Sequence, residues 1–324
     1  MASLVRVYAS GLDSKGASLF WAQPATETLV RSLREAGQLD PVLVRLEGER
    51  YRLLSGYQRV EWLSRENRGI LARCLSAPAC PVQDGLLYLH ANTHRNLDEV
   101  MRVRALRYFQ PRLGPEELAR RVAPLLGLAP QSGAWRRHLD WLTLPVAWDD
   151  LLQVGNVPLT VGQQLTGLEP EELEALYPYF ATWKWSQGRA GQWLTLLHEA
   201  ALRQGWSLGQ TLECALAPDV LASHLAPQDA LHRLTAQAMV LRYPNLDRLE
   251  RRFASLVREV FGPASPWKIT HGPGFESDTV ELRLRAGNSA QFRNAARVLS
   301  RAAGAANLDG LFELTLENGQ VSEA

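Results

Sequence analysis

The stretch LLSGYQRVEWL, residues 53–63, carries two apolar residues into a small-residue break at Ser55–Gly56. It resumes at once as an amphipathic segment with an arginine in its first turn. A strand that turns into a helix at such a break leaves bare backbone N–H groups and the positive end of the helix dipole at the corner. Arg59 beside them adds a planar fork of donors, and the combination suits phosphate. A plainer role is also open, in which Ser55 caps a packing helix and Arg59 is solvated.

A second candidate is QSGAWRRHLDW, residues 131–141. Gln131 and Ser132 stand at a helix start, within reach of base edges or phosphates, and Arg136, Arg137 and His138 form a basic face. Trp135, Leu139 and Leu142 repeat at helical spacing and should face a core. The plainer alternative is a buried helix of an all-α bundle with its arginines in solvent. His90 and His94 stand at i, i+4 and could supply half of a zinc site, but no other ligand cluster accompanies them. A surface or capping role is expected there, and no zinc. Neither G-x-S-x-G nor G-x-x-x-x-G-K-[ST] occurs. Cys74, Cys80 and Cys214 form no metal pattern and no even disulfide set, which fits a reducing cytoplasm without a redox cofactor.

These residues must be held by elements legible in the pattern. TETLVRSLREAG (26–37) reads as a short amphipathic helix stopped by Gly37, and PVLVRLEGERYRLLSG (41–56) as a hairpin about Glu47–Gly48. A helix over 57–67, a short strand near Arg73–Leu75 and one or two helices over 86–109 complete a compact α/β unit of residues 1–110. Residues 111–215 read as short helices, and seven of the ten tryptophans lie between Trp135 and Trp206, where they should stitch a core. Residues 216–245 read as a looser helical connector. Residues 246–324 give helix, strand, strand, helix, a unit too small to bury a good core alone, so a second copy is the expected remedy. The fold class is therefore α+β, multidomain and mostly helical.

The net charge of +1 hides a gradient. Residues 1–110 carry 15 basic against 11 acidic groups and 111–145 carry 5 against 3, whereas 146–245 carry 5 against 10. A polyanion should meet the first half of the chain. No signal-peptide pattern and no apolar run of bilayer length stands in the sequence, so a cytoplasmic protein with no membrane partner is expected.

In order, these pieces resemble the ParB-type chromosome and plasmid partition proteins. LVRSLREAGQLDPVLVR is similar to that family's helix followed by G-x-x-x-P-I-x-V-R, and YRLLSGYQRVEWL to its y-x-l-i-x-G-E-R-R-x-R-A. HANTHRNLD resembles its E-N-x-x-R-x-x-L, and ELARRV…WRRHLDWLTLP its helix-turn-helix ending in L-L-x-L-P. The last segment resembles its dimerisation domain. The resemblance implies a ParB/sulfiredoxin-like N-terminal domain that binds CTP with magnesium, a DNA-binding helical middle and a C-terminal α-β-β-α dimerisation domain. It places Gly56 against the triphosphate, Arg59 on it, Gln38 and Pro41 beside the base, Asn92 at the magnesium, and Arg95 on phosphate or tying helix to loop. Ser55, Tyr57 and Gln58 complete the corner.

The departures have consequences. Tyr57 and Gln58 replace the Glu and Arg that follow the family's glycine, Glu61 replaces a later arginine, and Ala91 replaces the acidic residue before its asparagine. Weakened triphosphate binding and at most a weak CTPase are expected, with no catalytic residue named. Tyr57 also stands where sulfiredoxin has its cysteine, so that chemistry is not expected. The leading expectation is a CTP-gated, sequence-specific DNA clamp, homodimeric, located at the bacterial nucleoid or a plasmid, with a partition ATPase as a further partner. A diverged scaffold without nucleotide and a ParB-fold nuclease stay open as alternatives.

Overall fold

The structure, a computed structural model, describes residues 3–314 except Ala77 and Ala79. Residues 315–324, counted above in the C-terminal segment, lie outside the described residues. The chain is α+β and mostly helical, with one small mixed sheet and a separate two-stranded one. It forms two compact units, residues 1–191 and 192–324.

The first unit opens with β1 (Ser3–Val7) and β2 (Leu12–Asp13), then α1 (Glu27–Glu35), β3 (Val42–Glu47), β4 (Arg50–Ser55), α2 (Tyr57–Arg65) and β5 (Ile70–Leu75). The sheet order is β1-β5-β3-β4-β2. β3 and β4 form the expected antiparallel hairpin, with Gly48 at positive φ in its turn and a bulge between Leu43 and Val44. α2 then carries the chain over β3 to β5, which runs parallel to β3, and β1 closes the sheet antiparallel to β5. Val42, Val44, Leu53, Leu54, Ile70 and Ala72 are fully buried, so the central strands are covered on both faces. The segment 86–109 is two helices, α3 (Pro81–Ala91) and α4 (Glu99–Phe109), the second capped by the Asp98 carboxylate on Met101 N–H.

Short helices follow: α5 (Pro115–Arg121), α6 (Gly133–Trp141), α7 (Ala147–Gln153), α8 (Gly162–Leu165) and α9 (Pro170–Thr182). The tryptophans pack as expected, with Trp141, Trp148, Trp183 and Trp185 buried. Gly162 is required at its position, because a Cβ there would stand 2.9 Å from the Trp141 ring. The expected boundary at residue 110 falls inside this unit. The reason is Arg107 on α4, which donates to the carbonyls of Leu142 and Leu144 and to the Asp149 carboxylate, so that the end of α6 and the start of α7 close over α4.

α10 (Gln187–Gln204) leads into α11 (Leu208–Cys214), α12 (Ala217–Ala222), α13 (Pro227–Arg242), α14 (Pro244–Phe261), β6 (Trp267–His271), β7 (Val280–Leu284) and α15 (Ser289–Ala303). The segment expected as a helical connector over 216–245 is helical, α12 and α13, and α13 buries Ala230, Leu231, Leu234 and Ala238. The terminal α-β-β-α segment is present. Its core is Leu249, Phe253, Leu256, Val260, Phe261, Phe275, Ala302 and Leu311, with β6 and β7 paired antiparallel. Among the described residues no helix is long and apolar enough to cross a membrane.

Candidate functional site

The corner at the end of β4 is built on Gly56, not Ser55. Gly56 is the N-cap of α2 with φ +97°, and Ser55 is the buried last residue of β4 with no capping bond to the helix. A Cβ on Gly56 would lie 2.7 Å from Val42 Cγ1 and 3.3 Å from Arg59 Nη2. The glycine is thus demanded by backbone conformation and by β3, whatever lies outside the corner. With no side chain capping α2, its backbone bonds begin at Arg59 and Val60, both donating to the Gly56 carbonyl at 3.1 Å. The N–H groups of Tyr57 and Gln58 come before that ladder.

Arg59 folds back across the corner. Its Nη1 donates to the Asp40 carbonyl at 2.8 Å and to the Pro41 carbonyl at 3.3 Å. Burial lowers its pKa and the nearby Asp40 carboxylate opposes that shift, so the guanidinium is a partly desolvated cation. A cation of this kind gains more from an added anion than a solvated one does.

The opposite wall is the end of α3. Asn92 caps it, with Nδ2 donating to the Tyr88 carbonyl at 2.7 Å, which orients the side-chain amide. Arg95 follows in the next turn, its N–H donating to the Asn92 carbonyl at 3.0 Å. Burial pushes the Tyr88 hydroxyl up, and the positive charge of Arg95 opposes that shift. Both walls line one cavity of about 300 Å³, at the lower end of the range for small-molecule sites. Ser55, Gly56, Tyr57, Gln58 and Arg59 come to it from the corner, and Tyr88, Ala91, Asn92, His94 and Arg95 from the end of α3. Leu29, Ser32 and Leu33 of α1 and the loop residues Leu39 and Asp40 close the remaining side.

Seven of the residues expected at a nucleotide are therefore brought together, and two are not. Gln38 is occupied elsewhere: Oε1 accepts from Leu71 N–H at 2.7 Å, and Nε2 donates to the Leu71 carbonyl at 2.7 Å. That pairing ties the loop to β5, and neither Gln38 nor Pro41 lines the cavity. Glu61, expected to bring negative charge to the phosphates, is turned away. Its carboxylate accepts from Ala25 N–H at 3.3 Å and pairs with Arg65.

Sequence reasoning missed the apolar wall and His94. His90 and His94 are not a helical pair, because α3 ends at Ala91 and His94 falls in the turn that lines the cavity. The i, i+4 relation of Tyr88 to Asn92 was the available signal for Tyr88. Among the described residues no group of three or more His, Cys, Asp or Glu side chains could hold a metal ion. Asn92 and Gln58 bring side-chain amides to the cavity and Asp40 a carboxylate. Cys74 is half-buried on β5, and Cys80 is exposed.

The candidate DNA-facing segment divides. Ser132 caps α6, its Oγ accepting from Trp135 N–H at 3.1 Å, and Gln131 before it is exposed at φ +68°. Arg136 is exposed and Arg137 half-buried. His138 does not join them on the basic face. It is 3% exposed, and its Nδ1 bonds the Ala134 carbonyl at 2.7 Å. Successive helical residues are about 100° apart, so three in a row span some 200° and the third turned inward. Leu139, expected in the core, is only half-buried.

No family model matches the chain, and no curated protein matches its sequence.

Proposed function

We propose that this chain is a ParB-like, sequence-specific DNA-binding protein whose N-terminal domain takes a nucleoside triphosphate, CTP with magnesium, and acts in chromosome or plasmid partition or related DNA organisation. One observation carries the reading. The Gly56–Arg59 corner and the Asn92–Arg95 turn, 33 residues apart in the chain from Arg59 to Asn92, line a single cavity, and each brings one arginine to its lining. Two cations and bare helix N–H groups around a small cavity suit a polyphosphate, and Leu29, Leu33 and Leu39 offer an apolar side for a base.

A ligand touching both walls stabilises the arrangement in which they stand at this spacing, and so couples nucleotide to N-domain conformation. Magnesium in such sites is held by one or two protein oxygens together with phosphates, a role open to Asn92 with Asp40. Ala91 offers no carboxylate beside Asn92, so turnover is weak or absent. DNA is met by α6 through Gln131, Ser132, Arg136 and Arg137. The C-terminal segment pairs with a second copy: α15 buries only Ala295 and Ala302 and leaves Phe292 61% exposed. A partition ATPase is the further partner that goes with this reading.

A second reading has one observation in its favour. Gly56 and Arg59 both have work in the fold itself, through Val42 and the carbonyls of Asp40 and Pro41. That fits a scaffold that has given up nucleotide. Capture of genomic fragments, followed by electrophoretic shifts with and without CTP and magnesium, separates the two. The clamp reading predicts retained fragments sharing a site and a CTP-dependent change in their release. Retention of no fragment and indifference to CTP would leave the scaffold.

A further inference from the structure

One helical turn before Tyr88, α3 carries half of a charge pair that the nucleotide reading does not use. Arg45, on β3, is 2% exposed, and Asp84, on α3, is 4% exposed. Arg45 Nη1 stands 2.6 Å from one Asp84 carboxylate oxygen and 2.7 Å from the other. Val42 and Val44, earlier on the same strand, are fully buried and apolar. Two apolar side chains of similar volume would hold α3 to the sheet without the desolvation that a buried ion pair carries. What the pair adds is direction, since parting two buried charges is costly and Nη1 reaches both carboxylate oxygens with the helix at this position on the strand.

That register matters because of what α3 carries. Asp84, Tyr88 and Asn92 follow one another at i, i+4 and i+8, on one stripe of the helix, and all three are buried. The last two line the cavity. Gly85 lets Tyr108 and Phe109 of α4 lie where its Cβ would be, at 2.5 and 2.6 Å, and the Tyr108 hydroxyl donates to the Pro81 carbonyl at 2.7 Å. The base of α3 is therefore clamped from the side, and Arg45 fixes its position along the sheet.

The other wall hangs on the same strand. Val42, three residues before Arg45 and roughly 10 Å along β3, is the residue against which Gly56 packs. One strand thus measures out the distance between the Gly56–Arg59 corner and the Tyr88–Asn92 stripe. We infer that the Arg45–Asp84 pair is a positioning device, which sets the two walls of the cavity at ligand distance by locking α3 to β3. The inference rests on the proposal that the cavity takes an anion; neither residue touches the cavity itself.

The test uses the full chain with Arg45→Met and Asp84→Leu combined, titrated with CTP and magnesium and followed by hydrogen exchange at residues 88–95. The expected result is a melting temperature within a few degrees of wild type, CTP affinity lower by about 10-fold or more, and faster exchange in 88–95. A stable double variant with wild-type affinity and wild-type exchange overturns the inference. If wild type binds no CTP, the nucleotide reading falls and exchange alone decides: acceleration in 88–95 supports the positioning role, and no change overturns it. Should the double variant fail to fold, Arg45→Lys keeps a charge but loses the fork. Its affinity should fall several-fold, and an unchanged affinity with unchanged exchange is equally fatal.

Discussion

Arg107 clasps Asp149 with two donors, Nε at 2.6 Å and Nη2 at 2.9 Å, and the same carboxylate accepts from Trp141 Nε1 at 2.9 Å. Asp149 is buried, and the arginine also holds the Leu142 and Leu144 carbonyls at the end of α6. One residue of α4 therefore closes the helices on both sides of the LTLP turn. Removing one partner strands a buried charge, so Arg107→Met or Asp149→Ala should each cost about 3–5 kcal/mol. Urea unfolding followed by tryptophan fluorescence reads this directly. A loss below about 1 kcal/mol would show that the clasp is incidental.

Gly56 gives a prediction independent of any ligand. Its φ of +97° and the 2.7 Å approach of Val42 make Gly56→Ala destabilising by about 1–3 kcal/mol. The melting temperature in nucleotide-free buffer should fall. An unchanged value would mean that the corner adapts freely.

His138 predicts a pH dependence. Burial lowers its pKa, with Arg102 and Arg137 reinforcing that direction and the Ala134 carbonyl and Glu99 opposing it. The unfolded chain takes a proton near the ordinary value of about 6.5, and the folded chain resists it until lower pH. Its contribution to stability is therefore full above about pH 6.5 and is lost as pH falls from there towards the folded value. His138→Leu should flatten that part of the acid limb in melting curves between pH 7.5 and 5. At neutral pH the substitution should cost little, because Nε2 is buried without a hydrogen-bond partner.

The residues proposed to face DNA are separable by salt. Arg136→Ala and Arg137→Ala should each weaken binding to all sequences and reduce the slope of log affinity against log salt by about 1. Gln131→Ala should relax sequence preference at one position instead. Ser132→Ala removes a cap and should lower stability by about 0.5–2 kcal/mol, which unfolding measures apart from DNA binding.

The local pattern carried much of the fold and only half of the site. The β3–β4 hairpin, the start of α2 and the terminal α-β-β-α segment follow from short-range periodicity and turn chemistry. β1 was not legible: its five residues gain their pairing from β5, some 65 positions away, and nothing local specifies that. The cap at Gly56 was misplaced by one because serine is the better capping side chain, while the close approach of Val42 decided for glycine. Arg59 could be found because an arginine in the first turn of a helix stands out, whereas Asn92 and Arg95 come only from the resemblance of HANTHRNLD to a family motif and not from the local pattern. Leu29 and Leu33 could not be found, since leucines at i, i+4 read as core whether they face a protein interior or a cavity. The Arg45–Asp84 pair escaped for a related reason: 39 residues separate two charges whose burial only the tertiary packing reveals.

The central claim is that Arg59 and Arg95 hold one polyanion between them. Calorimetric titration of CTP with magnesium into wild type, Arg59→Ala and Arg95→Ala tests it most directly. Saturable binding at one site per chain is predicted for wild type, and each substitution should weaken it by about 10- to 100-fold, the loss of one charge-assisted contact. Absence of binding to wild type, or variants that bind as tightly as wild type, would contradict the account.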